Sequence, residues 1–180
     1  MTTEQSIRAI AGGDRAAFEA LYRARYTAMA RYAAALLGGD RAGGEDAADE
    51  AFLDLWRNAG TFTGAGDGEG WLRRIVRNKA VDLLRKRREV LSDDPWQVSG
   101  AANPSADEPS PFEAASANDQ AGAVRSALAK LPPDQREAVW LCYFEELSLR
   151  EIAAIAGCPE NTVKTRLFHA RQKMRLSLAA

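Results

Sequence analysis

One segment constrains the fold of this chain more than any other: SLREIAAIAGCPENTVKTRLFHARQKMR, from Ser148 to Arg175. Ser148 followed by Glu151 makes the S-x-x-E capping box that begins a helix. Gly157 suits the left-handed backbone at which a helix ends, and Pro159 suits the first turn of the next helix. The pattern therefore predicts two short helices joined by a tight turn, a helix-turn-helix.

The second helix of this pattern has one apolar face and one basic face. Apolar residues recur at helical spacing at Val163, Leu167, Ala170 and Met174, and we expect them to face the core. Residues 161–175 include five basic residues and no acidic one. The major groove of DNA admits one helix, where Lys or Arg donates to guanine and Thr or Phe contacts a thymine methyl. The outward residues expected at DNA are Thr162, Lys164, Thr165, Arg166, Phe168, His169 and Lys173. The alternative is a helical hairpin with a solvated basic face.

Charge is segregated along the chain, although the formal net charge is only −1. Residues 71–88 hold eight basic residues and one acidic residue, whereas residues 89–120 hold seven acidic residues and no basic one. The near-neutral total therefore says nothing against nucleic-acid binding, and the local basic blocks favour it.

Neither a membrane segment nor a metal site is expected. The start MTTEQSIRAI lacks the basic-then-apolar pattern of a signal peptide, and no window approaches the roughly 18 to 20 apolar residues that span a bilayer. We expect a cytoplasmic protein without membrane insertion. Cys142 and Cys158 form no CxxC pair and the chain has one His, so core packing is favoured over a disulfide or a zinc site. No cofactor is expected.

The first part of the chain predicts two amphipathic helices. One follows Asp14 and ends at Gly38-Gly39, and the next begins near Glu45. Its inward residues are predicted to be Ala48, Phe52, Leu55 and Trp56. Its acidic outer face comprises Asp46, Asp49, Glu50 and Asp54. This face either is simply solvated or docks a basic partner.

A glycine-rich segment then leads into a basic helix. Residues 59–70 contain five glycines, which predicts a mobile loop without a regular element. The helix from Trp71 is expected to present an outer strip that tracks phosphates, formed by Arg74, Arg77, Asn78, Arg85 and Arg88. Trp71 beside this strip suits stacking on an unpaired base, which contributes roughly 1 to 3 kcal/mol. The alternative is that Trp71 belongs to the core.

The segment 92–118 carries four of the seven prolines and too few apolar residues to form a core. It predicts a flexible acidic linker. Beyond it, one helix stops at Pro132-Pro133 and another covers 134–145 before the helix-turn-helix. The predicted fold is all-α, with two small helical domains at 1–91 and 119–180 and no strand alternation.

In combination these motifs resemble an extracytoplasmic-function (ECF, group IV) RNA polymerase sigma factor of the sigma-70 family, along essentially the whole chain. GEDAADEAFLDLWRN resembles the core-polymerase-binding segment of the family, and GWLRRIVRNKAVDLLRKRR its segment for recognising and melting the −10 element. The segment from Leu131 to Arg175 resembles its domain for the −35 element. The resemblance implies domains σ2 and σ4, core RNA polymerase and promoter DNA as partners, an anti-sigma factor, and no catalysis by this chain.

The resemblance also implies roles for single residues. Those for the −10 element are Trp71, Arg74, Arg77, Asn78, Asp82 and Arg85. Those for core polymerase are Asp46, Asp49, Glu50, Phe52 and Trp56. Residues 63–69 stand where the family captures a flipped base, but their glycine content departs from the common pattern and leaves the preferred base open. His169 stands where Arg is frequent, which weakens the expectation of a guanine contact there.

Two other interpretations of the chain leave features of the sequence unexplained. A free-standing regulator that uses only the helix-turn-helix leaves the acidic helix and the Trp71 strip without a role. An enzyme or a scaffold built on Glu45, Asp46, Asp49 and Glu50 is disfavoured, because the sequence has no nucleophile motif and no phosphate cradle.

The acidic linker has two interpretations of its own. It either lies in a basic channel of core polymerase or only keeps the tether soluble.

Overall fold

The computed structural model describes residues 1–64, 67–92 and 119–179, and every regular element in these ranges is helical. This confirms the predicted all-α class with two helical regions. The elements of the first region are α1 (Thr3–Ala11), α2 (Arg15–Leu36), α3 (Arg41–Asn58), a 3-10 turn (Ala59–Thr61) and α4 (Gly68–Ser92). Those of the second are α5 (Asp119–Ala129), α6 (Pro133–Tyr143), α7 (Leu149–Ala156) and α8 (Glu160–Ala179).

The predicted helix boundaries in the helix-turn-helix are present in detail. The Ser148 hydroxyl accepts a hydrogen bond from the Glu151 N–H at 3.3 Å, and the Glu151 carboxylate accepts one from the Ser148 N–H at 2.8 Å. Gly157 has a φ of 64°, the left-handed conformation that ends α7. Pro159 immediately precedes α8, and its carbonyl accepts from the N–H of Thr162 at 2.9 Å. These local signals fix the angle at which α8 leaves the turn.

The N-terminal region is a bundle in which α2 packs against α3, and α3 and α2 both pack against α4. Its most deeply buried side chains, nearly or fully excluded from solvent, are Met29, Tyr32, Leu36, Phe52, Leu55, Leu72 and Val76. Helix α2 follows Asp14 as predicted, and the Asp14 carboxylate caps it by accepting from the Ala17 N–H at 3.0 Å. The bundle holds α4 with one long side facing away from α2 and α3.

Several predictions for the N-terminal region are wrong. The sequence did not predict α1, which begins with a capping box between Thr2 and Gln5. The second amphipathic helix begins at Arg41, capped by Asp40, rather than near Glu45. Trp56 is 40% exposed rather than inward, because Phe18 covers only one side of its ring.

The glycine-rich segment was also predicted incorrectly as wholly irregular. Residues Ala59–Thr61 form a 3-10 turn, and α4 already begins at Gly68. The turn forms because the Phe62 N–H donates to the Ala59 carbonyl at 3.1 Å. Residues 65 and 66 lie outside the described ranges. So does the predicted linker, apart from Ser92 at the end of α4.

The C-terminal region packs α8 against α5, α6 and α7. Val163, Leu167 and Ala170 of α8 are buried, as their spacing predicts. The two regions also pack on one another, with α6 against α2 and α7 against α4. Within the described ranges, no helix is both long and apolar enough to cross a membrane.

Candidate nucleic-acid interface

The outer face of α8 is open to solvent. Its exposed side chains include Lys164, Thr165, Phe168, His169 and Lys173. The ring of Phe168 is 55% exposed, which is high for an aromatic side chain of that size, and it meets His169 edge-on with 5.5 Å between ring centroids. The Thr165 hydroxyl donates to the Asn161 carbonyl at 3.0 Å, and the side chain is exposed. A face with cations, an aromatic ring and a methyl group can contact both phosphates and base edges.

Two residues predicted for this face, Thr162 and Arg166, are half-buried instead of open to solvent. Arg166 is half-buried, with Nε 3.2 Å from Oδ2 of Asp134 on α6, and its Nη1 donates to Sγ of Cys158 at 3.5 Å. Thr162 is also half-buried, in the first turn of α8. Arg166 therefore ties the outward helix to α6 and to the turn before it.

A second candidate surface is a cleft of about 330 Å³ between α4 and the end of α3. Its walls include Asn58 and Thr61 on one side and Trp71, Arg74, Asn78 and Asp82 on the other. Trp71 is half-buried against Phe62, with 5.3 Å between ring centroids, so it is neither a core residue nor a free one. The cleft thus combines an aromatic ring with amide and hydroxyl groups, which suits an unstacked base.

One cationic side chain of the cleft, Lys79, is fixed by two carboxylates of α3. Nζ of Lys79 lies 2.5 Å from Oδ2 of Asp54 and 3.8 Å from Oε2 of Glu50. The hydrogen bond to Asp54 raises the pKa of Lys79, so its ammonium group stays charged across the physiological range. Arg85 lies further along α4 and is exposed, with Nη2 3.4 Å from Oδ1 of Asp82.

Two residues of the basic strip of α4, Arg74 and Arg77, and the neighbouring Arg73 contact the C-terminal region. Arg73 lies 2.7 Å from the carboxylate of Glu145, and Arg77 lies 2.7 Å from that of Glu137. Arg74 donates to the carbonyl of Ala154 on α7 at 3.0 Å. The sequence placed Arg74 and Arg77 on an outer strip, and the structure places them at the contact between the two regions.

Glu137 is the most buried of these partners, with 3% of its side chain exposed. Its Oε1 accepts from Nε of Arg77 and also from the hydroxyl of Tyr32 on α2, at 2.8 Å. Desolvation and the neighbouring Glu137 carboxylate raise the pKa of Tyr32 well above its ordinary value, so Tyr32 remains a hydrogen-bond donor. The buried carboxylate is tolerated because it accepts two hydrogen bonds, one of them from a cation. Both donors come from the N-terminal region.

Arg136, next to Glu137, is buried in a cage of backbone carbonyls. Its guanidinium donates to Leu36 on α2 at 2.8 Å and to Leu131 at 2.7 Å. Further bonds reach the carbonyls of Ala35, Leu128 and Ala129. Burial lowers the pKa of Arg136. Sequence reasoning missed this residue and Glu137, because two adjacent charged residues on a helix indicate a solvated face.

The acidic face of α3 adjoins the cleft through Glu50 and Asp54 and includes Asp46 and Asp49 further toward the start of the helix. Asp46, Asp49 and Glu50 are exposed as predicted, above the buried Phe52. The Tyr22 hydroxyl donates to Asp49 at 3.3 Å. Exposed Leu53 and Trp56 add apolar area beside the carboxylates. Among the residues that the structure describes, no cluster of three His, Cys, Asp or Glu side chains is arranged to hold a metal ion.

Comparison with known proteins assigns both regions to the same family. Residues 18–90 match the description "Sigma-70 region 2", and residues 121–174 match "Sigma-70, region 4". The RNA polymerase sigma-H factor of Pseudomonas aeruginosa is 31% identical over 97% of this chain and 93% of its own length. The ECF RNA polymerase sigma factor SigW of Bacillus subtilis is 32% identical over 74% of each chain.

Some relatives are considerably longer. The ECF RNA polymerase sigma factor SigE of Mycolicibacterium smegmatis is 34% identical over 79% of this chain, which spans 54% of that protein. The chain spans 35% of the probable RNA polymerase sigma factor RfaY of Xanthomonas campestris.

Two solved structures share the fold. CnrH, in complex with the cytosolic domain of CnrY, superposes with a TM-score of 0.70 at 24% identity, over 98% of this chain and 96% of its own. The sigma factor RpoE of Bartonella quintana, in complex with the anti-sigma factor NepR, has a TM-score of 0.68 at 25% identity, over 91% and 97%. With both regions matched in order and relatives aligned over nearly their full length, the chain belongs to the ECF RNA polymerase sigma factor family.

Proposed function

We propose that this chain is an alternative sigma factor that binds core RNA polymerase and directs it to promoters with a matched pair of −35 and −10 elements. The observation that carries the proposal is the presence on one chain of an exposed recognition helix and a separate aromatic cleft on a basic helix. The free-standing regulator considered above would need only the first of these. The chain itself contributes recognition, and the polymerase contributes RNA synthesis.

The −35 element is assigned to the outer face of α8. Lys164, Thr165, Phe168, His169 and Lys173 are its exposed side chains and are proposed to meet DNA. Thr162 and Arg166 belong to the same proposed surface but are half-buried, so we assign them to positioning α8 and to phosphate contact at its edge. Each good contact with a base edge is worth roughly 1 to 3 kcal/mol of discrimination.

The −10 element is assigned to the cleft on α4. Trp71 supplies a stacking surface, and Asn78 and Asp82 supply hydrogen-bonding groups within the same cleft. Arg74, Arg77 and Arg85 are proposed to contact the backbone of the strand. Extruding a base costs a few kcal/mol of unstacking energy, which stacking and hydrogen bonds in the cleft offset.

Core polymerase is assigned to the acidic face of α3. Asp46, Asp49 and Glu50 offer exposed carboxylates, and exposed Trp56 over buried Phe52 offers adjoining apolar area. Charge complementarity with a basic surface speeds association and fixes orientation. We further propose that the chain works in the cytoplasm and that an anti-sigma factor controls it, as the complex of the structural neighbour RpoE with the anti-sigma factor NepR suggests.

Transcription in vitro from a template library with randomised upstream sequence tests the function. Purified core polymerase, with and without this chain, transcribes the library, and the templates that yield RNA are sequenced. We expect RNA only when the chain is present, from templates enriched in two motifs at a fixed spacing. Equal RNA yield with and without the chain would refute the proposal, and it is the result that the free-standing regulator predicts.

A further inference from the structure

We propose that the C-terminal region, docked on α4, is an intramolecular inhibitor that occupies the arginine side of the −10 surface of this chain while leaving the −35 surface free. The identity of the two surfaces rests on the proposed function. The docking itself rests on the contacts between the two regions.

The first step is the chemistry of the contact. Arg73, Arg74 and Arg77 are three basic residues on one side of α4, and each is bound by an oxygen atom of the C-terminal region. Two of those oxygen atoms belong to the carboxylates of Glu145 and Glu137. These carboxylates occupy the guanidinium groups that would otherwise meet the phosphates of a DNA strand. A guanidinium held in this way cannot bind a phosphate in the same geometry, so docking and strand binding compete.

The second step is steric. A cavity of about 390 Å³ lies between the segment around Phe62 and helix α7. Trp71 and Arg74 line one of its sides, and Ala154 and Ile155 of α7 line the other. The C-terminal region therefore covers the side of Trp71 and Arg74 that faces α7, while the side that faces the cleft beside α3 stays open. A strand that crosses α4 on the side of these two residues must displace α7.

The third step is that the contact is specific. Glu137 is almost fully buried, and it is satisfied by Arg77 and by Tyr32, a residue 105 positions away. Arg136 reaches the carbonyl of Leu36 across the same boundary. Burial of two adjacent charges is unfavourable unless every partner is in place, so the contact has one defined geometry. The same polarity makes it reversible, because the separated charges regain water.

The fourth step is the asymmetry between the two DNA surfaces. Lys164, Thr165 and Phe168 on α8 are exposed in the docked arrangement, whereas Arg77 is paired and one side of Trp71 is covered by α7. The docked chain can therefore contact a duplex through α8 before its −10 surface is available. The apparent affinity for a single strand is reduced by the fraction of molecules that are undocked.

Two substitutions weaken docking in different ways. Tyr32→Phe removes one hydrogen bond to Glu137 without changing charge or any residue of α4. Glu145→Gln removes the charge that faces Arg73. Their matched controls are Tyr143→Phe, a tyrosine that is 54% exposed, and Glu146→Gln, the exposed neighbour with the same change of charge. Circular dichroism and thermal unfolding of the full chain verify that each variant folds.

Two readouts are measured on the full chain. The radius of gyration from small-angle X-ray scattering reports docking without any DNA. Fluorescence anisotropy reports affinity for a random-sequence pool of short single strands and for the same pool as duplex. We expect Tyr32→Phe and Glu145→Gln to increase the radius of gyration and to tighten single-strand binding by on the order of tenfold, because one buried hydrogen bond to a charged group shifts the docking equilibrium by about that factor. Duplex binding and both controls should stay at the wild-type value.

Three results would overturn the proposal. The first is a wild-type chain that is already as extended as the variants, and the second is that the two variants leave both readouts unchanged. The third is that Glu146→Gln tightens single-strand binding as much as Glu145→Gln, which would mean that charge alone is responsible. The scattering result is independent of the assignment as a sigma factor. If the variants extend the chain but polymerase initiates without it, docking stands and the proposed function fails.

Discussion

Asp40 joins two helices of the N-terminal bundle through one carboxylate. It caps α3 by accepting from the Gly43 N–H at 3.0 Å, and it also accepts from Arg87 on α4. Partial desolvation would raise the pKa of Asp40, but the bond from Gly43 and the Arg87 guanidinium outweigh it and lower the pKa. A lowered pKa in the folded state means that ionised Asp40 stabilises the fold above its unfolded pKa of about 3.9. That stability is lost as pH falls through the folded pKa.

We predict that Asp40→Ala lowers the free energy of unfolding at pH 7 by about 0.5 to 2 kcal/mol, the usual range for a lost helix N-cap. Asp40→Asn retains the acceptor for Gly43 and removes the charge opposite Arg87, so it should cost less than Asp40→Ala. Urea unfolding at neutral pH and below pH 4 measures both. The gap between wild type and Asp40→Asn should narrow at the lower pH, and a gap independent of pH would contradict this account.

Substitutions of Lys164 and Arg175 distinguish base-specific recognition from sequence-independent attraction to DNA. Lys164 is exposed on the face of α8 assigned to base edges, and Arg175 is exposed near the end of the same helix. We predict that Lys164→Ala changes the preferred −35 sequence, with a cost of roughly 1 to 3 kcal/mol at one position, whereas Arg175→Ala weakens binding to all sequences alike. Selection from a promoter library measures both, and identical preferences after Lys164→Ala would rule out the assignment.

Close packing of helices at one glycine sets the shape of the N-terminal bundle. A Cβ atom at Gly44 of α3 would lie 2.7 Å from the backbone oxygen of Ala30 and 2.7 Å from Cβ of Ala34, both on α2. Real atoms do not approach so closely, so the helices must separate to accept a methyl group. The close contact of α2 and α3 at Gly44 therefore fixes the angle between the two helices, and with it the orientation of the acidic face of α3.

We predict that Gly44→Ala destabilises the fold by about 1 to 3 kcal/mol, the usual cost of overpacking. Gly60→Ala is the matched control, because a Cβ atom there would have nothing within 4 Å. Thermal or urea unfolding gives the comparison. Equal stability of the two variants would show that α2 and α3 adjust without cost.

The acidic face of α3 should contribute to binding of core polymerase and not to binding of duplex DNA. We predict that Asp49→Lys together with Glu50→Lys weakens binding to core polymerase, because two attractive charges become repulsive. Duplex binding through α8 should be retained, since these residues lie on the other region. Glu146→Lys is a control for charge. Pull-down or biolayer interferometry with core polymerase measures affinity, and an unchanged value would exclude this face as the docking surface.

Predictability from sequence followed the distance between interacting residues. The capping box of Ser148 and Glu151 and the left-handed Gly157 were predicted because all of their partners lie within a few positions. The burial of Arg136 was not predicted, because the Leu36 carbonyl that accepts its hydrogen bond is 100 residues away in the sequence. For the same reason the exposed faces of α3 and α8 were predicted well. The ion pair between Arg77 and Glu137 was not predicted, since it depends on how the two helical regions pack together.

For the molecule as a whole, the central claim is that one chain makes polymerase depend on two DNA sites at once. Run-off transcription with purified core polymerase tests it on three templates: a selected promoter, the same promoter with its −35 element scrambled, and the same promoter with its −10 element mismatched and already open. We predict that wild type initiates on the first and third templates and poorly on the second. Trp71→Ala should fail on the first template and recover on the pre-opened third. Initiation that is indifferent to the −35 element, or a Trp71→Ala variant as active as wild type on the closed promoter, would contradict the account.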